Sequence, residues 1–133
     1  MASIRKETLI DARPEDVWAA VRAVGVVHER LARGFVVDCR LDGEARVVTF
    51  ANGMVLRELI VDIDDQARRF SYSAVGGRLT HHNASMQVFA EGEAGSRLVW
   101  ITDLLPNEFT GLVSEMQDQG VSAMKRTLEA KPS

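Results

Sequence analysis

The chain has 133 residues, of which 46% are apolar and 26% charged. That size holds one domain around one core, and that balance excludes a disordered, fibrous or disulfide-stapled protein. Acidic side chains outnumber basic ones 19 to 16, and the densest basic cluster is the pair Arg68–Arg69, so no concentrated positive face is available for nucleic acid or an anionic membrane surface.

Residues 3–11, with Ile4, Thr8 and Ile10 in alternation, predict a strand. Pro14 then opens a helix, because proline suits a first helical position whose N–H has no partner, and Glu15 and Asp16 suit its positive end. Val17, Val21 and Val24 fall on one face, with Trp18 beside them, and Gly25 stops the helix. A shorter helix is expected over 26–32. Strands follow at 35–41, 45–51, 54–63, 68–75, 82–90 and 97–105. Asp42-Gly43, Asn52-Gly53, Asp64-Asp65-Gln66, Gly76-Gly77 and the Glu91–Gly95 stretch break them, and connections this short predict antiparallel neighbours. Residues 107–130 read as one amphipathic helix with Asn107 as N-cap. Its apolar stripe runs through Phe109, Val113, Met116, Gly120, Met124 and Leu128.

A meander of six or seven strands twists and must cover one face, and only the C-terminal helix is long enough to cover it. The expected architecture is α+β: a curved antiparallel sheet wrapped around that helix, over residues 1–133 as one domain. One helix on a wide curved sheet leaves concave space, so a pocket is expected between them.

Cys39 is the one cysteine. It can form no internal disulfide and reads as a small buried hydrophobe. MASIRKETLI lacks a signal-peptide layout, and no stretch approaches the ~20 apolar residues of a membrane span. Insertion into a membrane is therefore not expected, and a cytoplasmic location is. Arginine outnumbers lysine 13 to 3, as in chains from GC-rich bacterial genomes. His81 and His82 are adjacent and His28 is remote, with no HxH, HxxxH or CxxC spacing, so no metal site is expected. No phosphate loop or nucleophile elbow is present, so no cofactor is expected either. The sequence leaves a homodimer open.

Four segments look familiar together. Ala12-Arg13-Pro14-Glu15-Asp16-Val17-Trp18 resembles the "A-x-P-E-x-V-W" start of the first helix in the polyketide cyclase/dehydrase-like branch of the START-like (SRPBCC) superfamily. Gly53 to Glu58 is similar to its "G-x-x-x-R-E", and Asp64 to Tyr72 to its "D-D-x-x-R-R-x-x-Y". Ser96-Arg97-Leu98-Val99-Trp100 resembles its "S/T-R-V-x-W". The resemblance covers nearly the whole chain and implies a helix-grip fold. The superfamily mixes ligand carriers, receptors and aromatase/cyclases, so the resemblance implies a small hydrophobic or aromatic ligand, lipids included, without naming a reaction. Members often carry a tyrosine at the start of the penultimate strand, where this chain has His82-Asn83.

Strand alternation assigns Phe70 and Tyr72, Met86, and Trp100 and Thr102 to the concave face. Apolar counting takes the face of Val55, Leu59, Val61 and Ile63 as the inner one on the strand at 54–63. That carries Arg57 inward, where it could anchor a ligand carboxylate. With Met116 and Gly120 from the helix, these residues form the expected ligand-binding set. Gly120 has two readings: it admits Trp100, or it leaves room for a ligand. The leading expectation is a binding module. The alternative is a polyketide cyclase or dehydratase-like enzyme using the same cavity, with Arg57, Tyr72 and His82 as the candidates for polarising carbonyls or moving protons.

Overall fold

The structure is a computed structural model and describes residues 2–130. Seven strands form one antiparallel sheet: β1 (Ala2–Ile10), β2 (Val36–Asp42), β3 (Ala45–Phe50), β4 (Val55–Asp64), β5 (Arg69–Val75), β6 (His81–Glu91) and β7 (Gly95–Leu105). Their spatial order is β1-β7-β6-β5-β4-β3-β2. Five hairpins in succession give the meander from β2 to β7, and β1 closes the far edge beside β7 with Ala2 opposite Leu104 and Ile10 opposite Ser96.

Between β1 and β2 lie α1 (Pro14–Arg22) and α2 (Val27–Arg30). Pro14 sits in the first turn of α1 with Glu15 and Asp16, and Val17, Trp18, Ala20 and Val21 are buried. The second helix is shorter than its expected span. It has no side-chain cap, and the amides of Leu31 and Ala32 both turn back to the Val27 carbonyl, closing it after one turn.

The C-terminal helix α3 (Thr110–Glu129) follows a 3-10 turn at Asn107–Phe109. Asn107 was the expected cap. Its side chain makes no capping bond, and its carbonyl instead accepts the Thr110 hydroxyl at 2.7 Å. The buried face of α3 carries Gln117, Gly120, Ala123 and Met124. Ala123 and Met124 join Ile10, Val17, Val21, Leu31, Val88 and Leu98 in the core. Charged contacts lay α3 along β1. Lys6 Nζ lies 3.0 Å from an Asp118 oxygen, and Lys125 Nζ donates to the Leu9 carbonyl and to Glu129. No helix among the described residues is long and apolar enough to cross a membrane.

The familiar sequence segments turn out to be couplings between elements. Asp65 accepts the Trp18 indole N–H at 2.9 Å and two donors of Arg22, which ties α1 to the β4–β5 turn. The Arg22 guanidinium, and after it the Trp18 indole, holds the Asp65 carboxyl below the ordinary carboxylate range. Asp64 shapes the same turn by accepting the amides of Gln66 and Ala67. The Ser96 hydroxyl donates to the Ala12 carbonyl at 2.6 Å and fixes the chain as it leaves β1. Cys39 is buried as expected, and burial pushes its thiol up.

Candidate functional site: a cavity between the sheet and the C-terminal helix

A cavity of about 420 Å³ opens between the sheet and the first half of α3. Its walls are mostly apolar: Phe35, Phe50, Met54 and Leu56 on one side, Val113 and Met116 of α3 on the other. Trp100 and Tyr72 floor it, with Thr102 beside them. Beside the cavity, β5 and β6 separate. Their ladder pairs only Arg69 to Tyr72 with Gln87 to Ala84. Beyond that, Gly76 and Gly77 both take positive φ, at 80° and 72°, a conformation that costs glycine little and other residues more. The chain therefore swings wide before it returns as β6.

Inside the sheet, register decides which polar groups meet. Arg46 stands directly across from Glu58 in the β3–β4 ladder. Their side chains form an ion pair at 2.9 Å, 5% and 8% exposed. The guanidinium also donates to the Val24 carbonyl and sits 5.0 and 5.3 Å from the ring centres of Phe70 and Tyr72. Those two rings stack on each other. Burial pushes the Glu58 carboxyl up, against the pull of Arg46. The Trp100 indole N–H donates to the Tyr72 hydroxyl at 2.9 Å. Burial, with the Glu58 charge, moves the Tyr72 hydroxyl well above its ordinary range, so Tyr72 is a neutral hydrogen-bonding group at any physiological pH.

His82 stands at the separated end of β5 and β6. Its Nδ1 accepts the Ala74 backbone N–H at 2.9 Å, in place of a ladder bond. A lone pair on Nδ1 puts the ring proton of the neutral imidazole on Nε2. Burial, then the neighbouring His81, lowers its pKa. The Ser73 hydroxyl donates to the His82 carbonyl and completes the anchorage.

The residues singled out in the sequence fall into three places. Tyr72, His82, Trp100, Thr102 and Met116 line the cavity. Phe70 and Met86 are buried in the sheet's concave face beneath it and belong to the core cluster. Arg57 is on the opposite face, paired with Asp42 at 2.5 Å and 44% exposed. The inward assignment of Arg57 is therefore corrected, and with it the parity of β4. The physical reason is that Val55 and Leu59, in the same frame as Arg57, are solvent-exposed aliphatics, and a bulge between Ile60 and Asp62 takes Ile63 out of that frame. Val61 is exposed as well while Ile63 turns toward the core, so the apolar residues of β4 do not share one alternating frame. Glu58, not Arg57, is the inward member of the pair.

Gly120 is also resolved. A Cβ there would lie 2.7 Å from Cζ3 of Trp100 and 3.2 Å from Cε2 of Phe35. The glycine admits the indole, and no space is left over it. Gln117 is a cavity residue that sequence reasoning passed over. It is 2% exposed, and neither Oε1 nor Nε2 has a hydrogen-bond partner among the described residues. An unpartnered buried amide costs about 1–3 kcal/mol. Its signal was present: Gln117 lies four residues after Val113 and three before Gly120, on the apolar stripe itself. No cluster of three or more His, Cys, Asp or Glu side chains that could hold a metal ion occurs among the described residues.

Structural comparison places this geometry among known proteins. XoxI from Bacillus cereus superposes with a TM-score of 0.86 at 20% identity, covering 96% of each chain. Norcoclaurine synthase from Thalictrum flavum, in complex with dopamine and hydroxybenzaldehyde, superposes at 0.73 with 17% identity over 99% of this chain and 89% of that one. The di-domain ARO/CYC protein BexL, from the BE-7585A biosynthetic pathway, superposes at 0.75 with 13% identity, over 97% of this chain and 45% of BexL. At these identities the likeness is one of fold. No curated protein matches by sequence. The sequence does match a family described as polyketide cyclase / dehydrase and lipid transport over residues 1–130, and the chain belongs to that family.

Proposed function

We propose that the cavity binds a small hydrophobic or aromatic molecule, held between the sheet and α3. The supporting observation is the cavity itself: about 420 Å³, walled by aromatic and aliphatic side chains, with only a few polar groups converging on it. Such a site gains about 25 cal/mol for each Å² of apolar surface withdrawn from water, which supports micromolar binding without special chemistry. The test is titration with the neutral fluorophore N-phenyl-1-naphthylamine. Wild type should enhance its emission, and Met116→Trp, which fills the space from the helix side, should abolish the enhancement while remaining folded. Undiminished binding by a folded Met116→Trp variant would move the site elsewhere.

A second reading is supported by His82. Its Nδ1 is fixed by the Ala74 amide, and it borders the same cavity as Tyr72. A neutral imidazole so held keeps its Nε2–H as a hydrogen-bond donor, which can polarise a bound carbonyl and acidify the carbon next to it. In this reading the protein is a cyclase- or dehydratase-like enzyme. Solvent deuterium exchange into the methyl group of 2-acetylnaphthalene, followed by NMR, tests it. Exchange accelerated by wild type and lost in His82→Leu supports it, and the absence of acceleration in a protein that binds the ketone eliminates it.

A further inference from the structure

Resting on the binding reading above, we infer that Gln117 and Glu58 make the cavity selective for a neutral ligand whose polar end offers a hydrogen-bond donor and an acceptor side by side. A carboxamide or lactam fits this description, and a carboxylate does not. Two independent features of the cavity lead here.

The first is the Gln117 amide. It lines the cavity, is 2% exposed, and has no partner for Oε1 or Nε2 among the described residues. A glutamine amide presents one acceptor and two donors in a plane. A ligand that satisfies both ends must return a donor to Oε1 and an acceptor to Nε2. An amide edge does this with two parallel hydrogen bonds. A carboxylate can answer Nε2 only, and it meets Oε1 with a second acceptor.

The second is charge. Glu58 lines the cavity and is 6% exposed. The cation nearest to it, Arg46, is committed to Glu58 and to the Val24 carbonyl, and packs over Phe70 and Tyr72 rather than lining the cavity. Among the described residues, the one arginine that does line it, Arg78, is exposed on the loop next to Gly76 and Gly77. An anionic head beside Gln117 would lose its water and meet the Glu58 carboxyl, while Arg78, the cation among the described lining residues, is exposed on its loop. The outward position of Arg57 removes the group that would have welcomed a carboxylate.

Three naphthalenes of matched shape separate the contributions: 2-naphthamide, 2-naphthoate and 2-methylnaphthalene. Calorimetric titration of wild type should rank them in the order amide, hydrocarbon, carboxylate, with the amide at least tenfold tighter than the hydrocarbon. Gln117→Leu should erase the amide's advantage and leave the hydrocarbon's affinity within about twofold of wild type. Gln117→Met, closer in shape, serves the same purpose if the leucine variant unfolds. In wild type, the Gln117 side-chain NH₂ resonance should shift with the amide and hold still with the hydrocarbon. Equal affinities for amide and hydrocarbon would overturn the inference, because the Gln117 amide would then be served by water. So would an amide preference that survives in Gln117→Met, or naphthoate binding as tightly as naphthamide. Failure of all three compounds to bind would instead overturn the cavity reading, and this inference with it.

Discussion

The two halves of α3 face the same sheet and do different things with it. From Gly120 to Leu128 the helix closes on a packed core, where Ala123 and Met124 meet Ile10, Val17, Val21 and Leu98 beneath α1 and α2. From Thr110 to Gln117 it stands off, and Leu112, Val113 and Met116 look across the cavity toward Trp100 and Tyr72. Leu112 is 56% exposed, whereas Ala123 is fully buried. The division falls at Gly120, whose missing side chain lets the Trp100 ring touch the helix backbone. One end of the sheet therefore serves stability. The other, where β5 and β6 part at the glycine pair, keeps space for a ligand. The lesson is that a single curved sheet can be filled from one end by short helices, with a cavity left at the end they do not reach.

The comparison can be broken most forcefully at the buried ion pair of Arg46 with Glu58. Glu58→Leu strands the Arg46 guanidinium in the sheet and should cost about 3–5 kcal/mol, whereas Arg46→Met with Glu58→Leu should recover most of that. Urea unfolding of both variants checks this. A single variant within about 1 kcal/mol of wild type would show that water reaches the pair.

Next in size is the contrast between packing at the two ends. Leu98→Ala, in the closed half, should cost about 2–5 kcal/mol through the cavity it leaves. Met116→Ala enlarges space that already exists and should cost about 1 kcal/mol or less. Similar losses by urea denaturation would erase the distinction between the halves.

Gly120→Phe probes the boundary. Forcing a ring against Trp100 and Phe35 should cost about 1–3 kcal/mol or more by overpacking, which outweighs the ~1 kcal/mol of helix propensity gained by replacing glycine. The melting temperature should drop. An unchanged melting temperature with lost ligand binding would show instead that the cavity extends past Gly120.

The smallest effect sharpens the comparison where β5 and β6 separate. The folded-state pKa of His82 lies below its ordinary 6.5. The unfolded chain then binds the proton more readily, so stability falls as pH drops from 6.5 through the depressed value. Protonation at Nδ1 would also forfeit the Ala74 hydrogen bond. His82→Gln should flatten the slope of melting temperature between pH 7 and pH 5. The raised Glu58 carboxyl acts with the opposite sign, losing stability as pH rises through 4.5 and above, and its contribution cancels between the two proteins. A slope unchanged by His82→Gln would show that the imidazole is solvated.

Much of this was legible in the chain. Turn residues set the hairpins, because Asp42-Gly43, Asn52-Gly53 and Asp64-Asp65-Gln66 each carry local chemistry that reverses a strand without help from elsewhere. The inner residues of β5 and β6 followed from alternation, since each of those strands has one apolar face, and on β7 the larger side chains Leu98, Trp100 and Leu104 marked the inner face although Val99 and Ile101 are apolar too. Alternation failed on β4, where both faces carry aliphatic residues and a bulge changes the frame midway. Gln117 went unnoticed because a lone polar residue on an apolar stripe looks like an interruption until the space opposite it is known.

The sequence by itself determined the order and kind of the elements, the antiparallel connectivity and the amphipathic helix that must cover the sheet. These depend on local conformational preference and on periodicity, which act within a few residues. Only the tertiary structure decided that Glu58 points inward against Arg46, that Gly120 is filled by Trp100, and that Gln117 is left facing a cavity. Those outcomes depend on register and on distances between residues far apart in the chain. Arg46 and Glu58 meet across a hairpin; Trp100 reaches Gly120 across the whole thickness of the fold. A polar side chain is satisfied or stranded according to what the far side of that contact supplies, which no local pattern records.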